Sequence, residues 1–224
     1  MQQHTAARAR SRPVWLHPAA KPALFAASLL PFAWLFYGAL ADQLGANPAQ
    51  YLSRSTGEWT LRFLCLTLLV TPLRVMASQP ALARFRRMLG LFTYFYACIH
   101  LLCYAWFDMG LDPVDIVNDI PKRPFILVGF AAFLLLTPLA ATSFNRAIRT
   151  LGASRWQALH RAVYLVAGLA ILHFFWMRAG KNDFAEVAVY GAIVAALLGW
   201  RLWRRLRGAS TPATARAARP ASGR

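Results

Sequence analysis

Acidic residues are scarce in this chain of 224 residues: 8 Asp+Glu stand against 25 Lys+Arg, a formal net charge of +17. Cysteine is scarcer still. All three, Cys65, Cys98 and Cys103, lie inside apolar runs, which excludes a secreted scaffold held by disulfides. Charge of either sign is low, at 15% of residues against about 25% in an average soluble domain. A nucleic-acid binder needs solvated basic faces on a modest core. Here apolar runs separate the charges, so the basic balance does not indicate nucleic acid. What the sequence has in quantity is apolar surface, 58% of its residues. So much of it must be buried that disorder is excluded over most of the chain.

Six stretches are long enough to cross a bilayer, at about 20 residues each. They run roughly over 24–41, 59–76, 88–107, 125–143, 156–177 and 184–203. Asn47-Pro48, Gln79-Pro80, Asp112-Pro113, Pro121 and Gly152 punctuate them. The sequence therefore predicts an all-α polytopic membrane protein, a six-helix transmembrane bundle over 22–207. A basic cytoplasmic leader (1–21) precedes it, and an Ala/Pro/Ser/Thr/Arg tail (208–224) that need not fold follows it. Ala39-Leu40-Ala41 has the form of a signal-peptide cleavage site after a basic leader. The apolar run is long for such a segment and five spans follow it, so it is read as a retained span.

Charge orients the bundle. Alternate assignment of the loops puts both ends, Arg74, Arg84, Arg86, Arg87, Arg146, Arg149, Arg155 and the arginines from 201 onward on one side. The other side has only Arg54, Lys122, Arg123, Arg178 and Lys181. The positive-inside rule places both termini in the cytoplasm. All eight acids fall on or next to the opposite side.

Ionisable groups at membrane depth are costly and suggest a site. His4 and His17 belong to the solvated leader, Arg62 is four residues after Glu58 and pairs with it, and Arg161 snorkels to the surface. Three histidines remain: His100 in the third span, His160 and His173 in the fifth. Haem ligation, proton or ion transport, and structural hydrogen bonding all fit such a set. His100 lies eight residues before Asp108, about 12 Å from the outer boundary, and His173 five before Arg178, about 7.5 Å. The third and fifth spans run parallel, so one haem between them in the outer half is geometrically allowed. His160 is about 20 Å deeper and, on a straight helix, on another face from His173. No third-span histidine stands at its level; Arg86 does. A second, inner haem would need a ligand from elsewhere or would be five-coordinate.

A series of short stretches carries a family resemblance. They include Leu30-Pro31-Phe32, Gly45-Ala46-Asn47-Pro48, Thr56-Gly57, Leu68 to Leu73, Arg86-Arg87-Met88-Leu89-Gly90-Leu91, the His100-Leu101 region and Thr142-Ser143. Trp156-Gln157-Ala158-Leu159-His160 and His173-Phe174-Phe175-Trp176 complete the series. In this order the chain resembles the haem-binding membrane subunits of bacterial periplasmic protein-methionine-sulfoxide reductase systems. These belong to the ferric reductase-like transmembrane group, with NADPH oxidases as distant relatives. The resemblance implies that His100, His160 and His173 bind haem b at its iron, with His160 the least clearly assigned. It also implies flavin mononucleotide as a further cofactor, for which the chain shows no motif. About 20 residues follow the last span, where self-sufficient relatives carry a flavin and nicotinamide domain.

The resemblance thus implies an electron-transfer subunit of the bacterial inner membrane rather than a catalytic one. Electrons would come from the quinol pool or a cytoplasmic flavin reductase. They would leave to a periplasmic molybdenum-containing subunit that reduces methionine sulfoxide in oxidised proteins. Asp108, Asp112, Asp115 and Asp119 are a candidate docking surface, with solvated loop charge as the plainer account. The rival readings are a stand-alone haem b ferric or quinone reductase and a small permease with a histidine proton relay.

Overall fold

The computed structural model describes residues 16–180 and 182–209. Most of the leader, including His4, and the tail from 210 onward lie outside the described residues.

Among those residues the chain is helical, without strands: α1 (Ala20–Leu40), α2 (Pro48–Met76), α3 (Ala83–Cys103), α4 (Pro113–Asp119), α5 (Pro124–Ala141), α6 (Asn145–Leu151), α7 (Ala153–His160), α8 (Val163–Ala179) and α9 (Ala185–Ala209). A π-helical turn, Tyr104–Asp108, extends α3. Six helical segments are long and apolar enough to cross a membrane: α1, α2, α3 with its flanking turns, α5, α7 with α8, and α9.

The Asx-Pro signals start helices as well as interrupting apolar runs. Asn47 Oδ1 accepts from the Gln50 N–H at 3.0 Å, and Pro48 fills the first turn, where no N–H is needed. Asp112 and Pro113 do the same for α4, with the Val114 N–H donating at 2.7 Å. The second span therefore begins at Pro48 and not at residue 59. Its polar stretch is helical because a cap, rather than apolarity, starts it. The fifth span also departs from expectation. At Arg161 and Ala162 the backbone takes up i→i−3 bonds, Ala162 N–H to Leu159 C=O at 2.9 Å and Tyr164 N–H to Arg161 C=O at 3.0 Å. This divides α7 from α8, so the rotation expected between His160 and His173 on a straight helix does not apply.

Helix α2 is central. Leu61, Leu64, Cys65 and Leu68 face a core shared with α5, α8 and α9. Phe63 and Val70 face a second core with α3, where the Phe63 ring stacks on Tyr96 at 5.1 Å. Leu30, Trp34, Leu134, Leu165 and Leu202 stay on the outside, the pattern of a bundle whose solvent is lipid.

Two prolines inside these helices leave backbone groups to be satisfied from other helices. Beside Pro31, the Tyr96 hydroxyl enters the broken ladder: Phe32 N–H donates to it at 3.0 Å, and it donates to Ser28 C=O at 2.9 Å. Pro72 has no N–H for Leu68 C=O, and Arg201 of α9 donates to that carbonyl instead. Tyr96→Phe strands both α1 groups in a buried site, so it should lower stability by about 1–3 kcal/mol. Unfolding of the detergent-solubilised protein measures this, and an unchanged midpoint would contradict the bridging role.

Candidate functional site

Helices α2, α3, α5 and α8 bring two of the three histidines together. The rings of His100 (α3) and His173 (α8) lie with centroids 6.1 Å apart and planes at 76°. Each is held in the same way. His100 Nδ1 lies 2.9 Å from Ser53 C=O, and His173 Nδ1 lies 2.7 Å from Phe125 C=O. A carbonyl only accepts, so Nδ1 carries the proton in both rings and Nε2 keeps its lone pair. That is the state in which imidazole ligates a metal, and a carbonyl on the other nitrogen is the usual support for it.

The two holds share a local design. Gly57 follows Ser53 by four residues, and Gly129 follows Phe125 by four. In a helix the side chain at i+4 stands over the carbonyl of residue i. With glycine there, the carbonyl is open and an imidazole can lie across the turn. A Cβ on Gly57 would stand 3.0 Å from His100 Cε1, and one on Gly129 only 2.8 Å from His173 Nδ1. Thr56 Oγ1 lies 3.4 Å from His100 Nδ1 while donating to Leu52 C=O at 2.7 Å.

At this separation His100 and His173 would be able to hold one iron between them. Two imidazoles bound through nitrogen at ~2 Å, on opposite sides of one metal, have centroids about 6 Å apart. The donor set, neutral imidazole without thiolate or carboxylate, is also one that haem iron accepts.

His160 is elsewhere and differently engaged. Its Nε2 lies 3.0 Å from Thr142 Oγ1, and its ring stacks on Trp156 at 4.0 Å between centroids. Trp156 Nε1–H also donates to Thr142 C=O at 3.0 Å. The Thr142 hydroxyl gives its proton to Pro138 C=O at 2.7 Å, so it accepts from His160 Nε2–H. The nitrogen left free in His100 and His173 is therefore occupied in His160.

Of Asp108, Asp112, Asp115 and Asp119, two have local duties. Asp112 caps α4, and Asp119 accepts from the Tyr104 hydroxyl at 2.8 Å and from Arg123 Nη2 at 2.7 Å. Desolvation by itself would raise the Asp119 pKa, but the Tyr104 and Arg123 donors outweigh it and hold the carboxyl below its usual range. These contacts tie the connection after α4 to the π turn that follows His100.

The sequence reading missed Ser53, Phe125 and Gly129. Ser53 and Phe125 act through backbone carbonyls, which side-chain chemistry does not reveal. Gly129 left one trace, a glycine inside an apolar helix where its intrinsic cost requires a packing reason.

Fold and site together define a polytopic helical membrane protein with a paired-histidine centre between its helices. Residues 56–171 match the family model of the ferric reductase like transmembrane component. A protein-methionine-sulfoxide reductase heme-binding subunit of Polaromonas naphthalenivorans is 72% identical over 193 residues, covering 86% of this chain and 88% of its own. The subunit of the same description from Bordetella pertussis is 56% identical over 192 residues (85% and 93%), and that from Xanthomonas campestris 46% over 212 (92% and 96%). The chain belongs to this family of heme-binding subunits, within the ferric reductase-like transmembrane group. No solved structure matches it.

Proposed function

We propose that this chain is an electron conduit serving a methionine sulfoxide reductase, with one haem b held between His100 and His173. One observation carries the reading: two half-buried imidazoles 6.1 Å apart, each with Nδ1 committed to a carbonyl and Nε2 free. The names of the relatives, heme-binding subunits of that reductase, agree with it. The haem would supply one-electron chemistry in a low-dielectric setting. The chain's own residues do the rest. Ser53 and Phe125 fix both tautomers and raise ligand basicity. Gly57 and Gly129 give the rings room, and the surrounding helices exclude water.

By the positive-inside rule the arginine-rich side is cytoplasmic and the acid-bearing side periplasmic, in a bacterial inner membrane. The paired histidines then lie in the periplasmic half, where electrons leave. The donor is the quinol pool or a cytoplasmic flavin reductase, and the acceptor a periplasmic molybdenum-containing catalytic subunit. Flavin mononucleotide, implied by resemblance, has no residues assigned to it here. His160 is assigned an inner hydrogen-bonding role and no iron in this reading. A proton relay through His100 and His173 is disfavoured, because each Nδ1–H ends on a carbonyl, which has no proton to pass on.

An absorption spectrum of the purified protein tests the reading. A Soret band with the sharp visible bands of six-coordinate, low-spin haem is expected. Its absence from protein made with ample haem overturns the conduit. Deleting the chain should lower repair of oxidised methionine in periplasmic proteins; unchanged repair would favour a stand-alone reductase.

A further inference from the structure

Next to the paired histidines a line of ion pairs joins three helices. Arg178 of α8 donates to Asp183 at 2.7 Å and to Glu186 in the first turn of α9. The same Glu186 oxygen takes Arg54 Nη2 of α2 at 3.2 Å. Arg54 Nε reaches Glu58 at 3.0 Å, and Arg62 holds the other Glu58 oxygen at 2.8 Å. Arg62 Nε also donates to the Tyr190 hydroxyl of α9 at 3.0 Å, closing the line back onto that helix.

Most exposed ion pairs contribute little, and Arg54 and Arg62 by themselves would pass as such. Arg178 differs. Its side chain is 8% exposed, and its guanidinium lies over the Phe174 ring at 5.4 Å. A buried guanidinium constrains its surroundings, because losing a partner leaves an uncompensated charge. Its position in the chain is also specific. Arg178 stands five residues after His173 on the same helix, and Arg54 directly follows Ser53, whose carbonyl orients His100. Glu186 is the one carboxylate in the line that binds both guanidiniums. Helix α9 has no histidine, yet through Glu186 it ties the helix bearing His173 to the turn that holds His100.

We infer that Glu186 and Arg178 are positioning residues that set the separation of the His100 and His173 rings, and so keep one iron ligated from both sides. This rests on the haem reading above. When either pairing is lost, α8 is free to shift against α2 and one imidazole leaves the metal part of the time. The iron is then open to an external ligand.

Carbon monoxide reads this directly, since it binds reduced haem that has an open axial position and is excluded from haem ligated on both sides. The experiment uses the full chain in detergent and compares the parent with Glu186→Gln, Arg54→Gln and, as a control, Leu197→Ala. Leu197 is a buried α9 residue eleven positions after Glu186, about 16 Å along the helix from the ion pairs. Glu186→Gln should raise the carbon-monoxide-reactive fraction by about tenfold, with a matching high-spin signal in the ferric spectrum. Arg54→Gln, which cuts only the α2 branch and is the milder change if Glu186→Gln folds poorly, should give a smaller rise in the same direction. Leu197→Ala should leave the fraction at the parental level. Parental spectra in both charge variants overturn the inference, as does an equal rise in the Leu197 control, which would indicate general loosening. A parent without a Soret band fails at the earlier step and overturns the haem reading itself.

Discussion

Alanine at His173 or at His100 should reduce bound haem at least about tenfold, read as Soret absorbance per mole of purified protein. The expectation follows from how each ring is held. Both imidazoles give their Nδ1 proton to a backbone carbonyl, at 2.7 and 2.9 Å, which leaves Nε2 unprotonated and able to bind the proposed iron. The direct partners of the two rings are the Ser53 and Phe125 carbonyls and the Thr56 hydroxyl, none of which replaces an imidazole as a ligand to iron. Alanine at His160 should leave most of the haem in place. That ring is spent on Thr142 and Trp156 and does not face the pair. Equal haem content in the three variants and the parent would contradict the assignment of the site to His100 and His173.

A single methyl group should have nearly as large an effect. In Gly129→Ala the new Cβ would fall 2.8 Å from His173 Nδ1 and 2.9 Å from its Cε1, closer than carbon atoms approach ring atoms in folded proteins. The ring cannot yield by a small tilt, because Nδ1 is bound to the Phe125 carbonyl on the same turn. It must lift off that carbonyl, losing tautomer control and position together. Losing such a supporting hydrogen bond typically lowers metal affinity by about 10–100-fold. Gly168→Ala is the matched control. Gly168 lies in α8, the helix of His173, with nothing within 4 Å of its would-be Cβ, so alanine there should be harmless or stabilise by up to about 1 kcal/mol. Haem titration of the two variants separates the outcomes. Parental affinity in Gly129→Ala would mean that the ring does not depend on the glycine, and the hold would need another explanation.

The spans were legible in the sequence because lipid sets a minimum apolar length, and that signal is local. Their ends were less so. Helix α2 starts at Pro48 through an Asn47 cap, and the polar residues after it, including Arg54 and Glu58, read as a loop when apolarity is the only guide. Those residues turned out to be the α2 part of the ion-pair line. Arg62 was read as a local partner of Glu58, and it is, at 2.8 Å; the sequence could not show that it also reaches Tyr190 of α9. Along the sequence Arg178 and Glu186 are two charges eight residues apart, and their pairing depends on how α8 and α9 turn back on each other.

The sequence by itself determined the number of spans, how basic and acidic residues divide among the segments between them, and where His100 and His173 stand along their helices. Each follows from hydrophobic length, charge count or helical rise along one segment. Only the tertiary structure decided that His100 and His173 face each other while His160 turns to Thr142, that carbonyls fix two tautomers, and that one carboxylate of α9 joins the helix of His173 to the α2 turn that holds His100. These are relations between helices far apart in the chain. Helical rise sets a residue's depth, but which way its side chain faces depends on how each helix is rotated and packed against its neighbours.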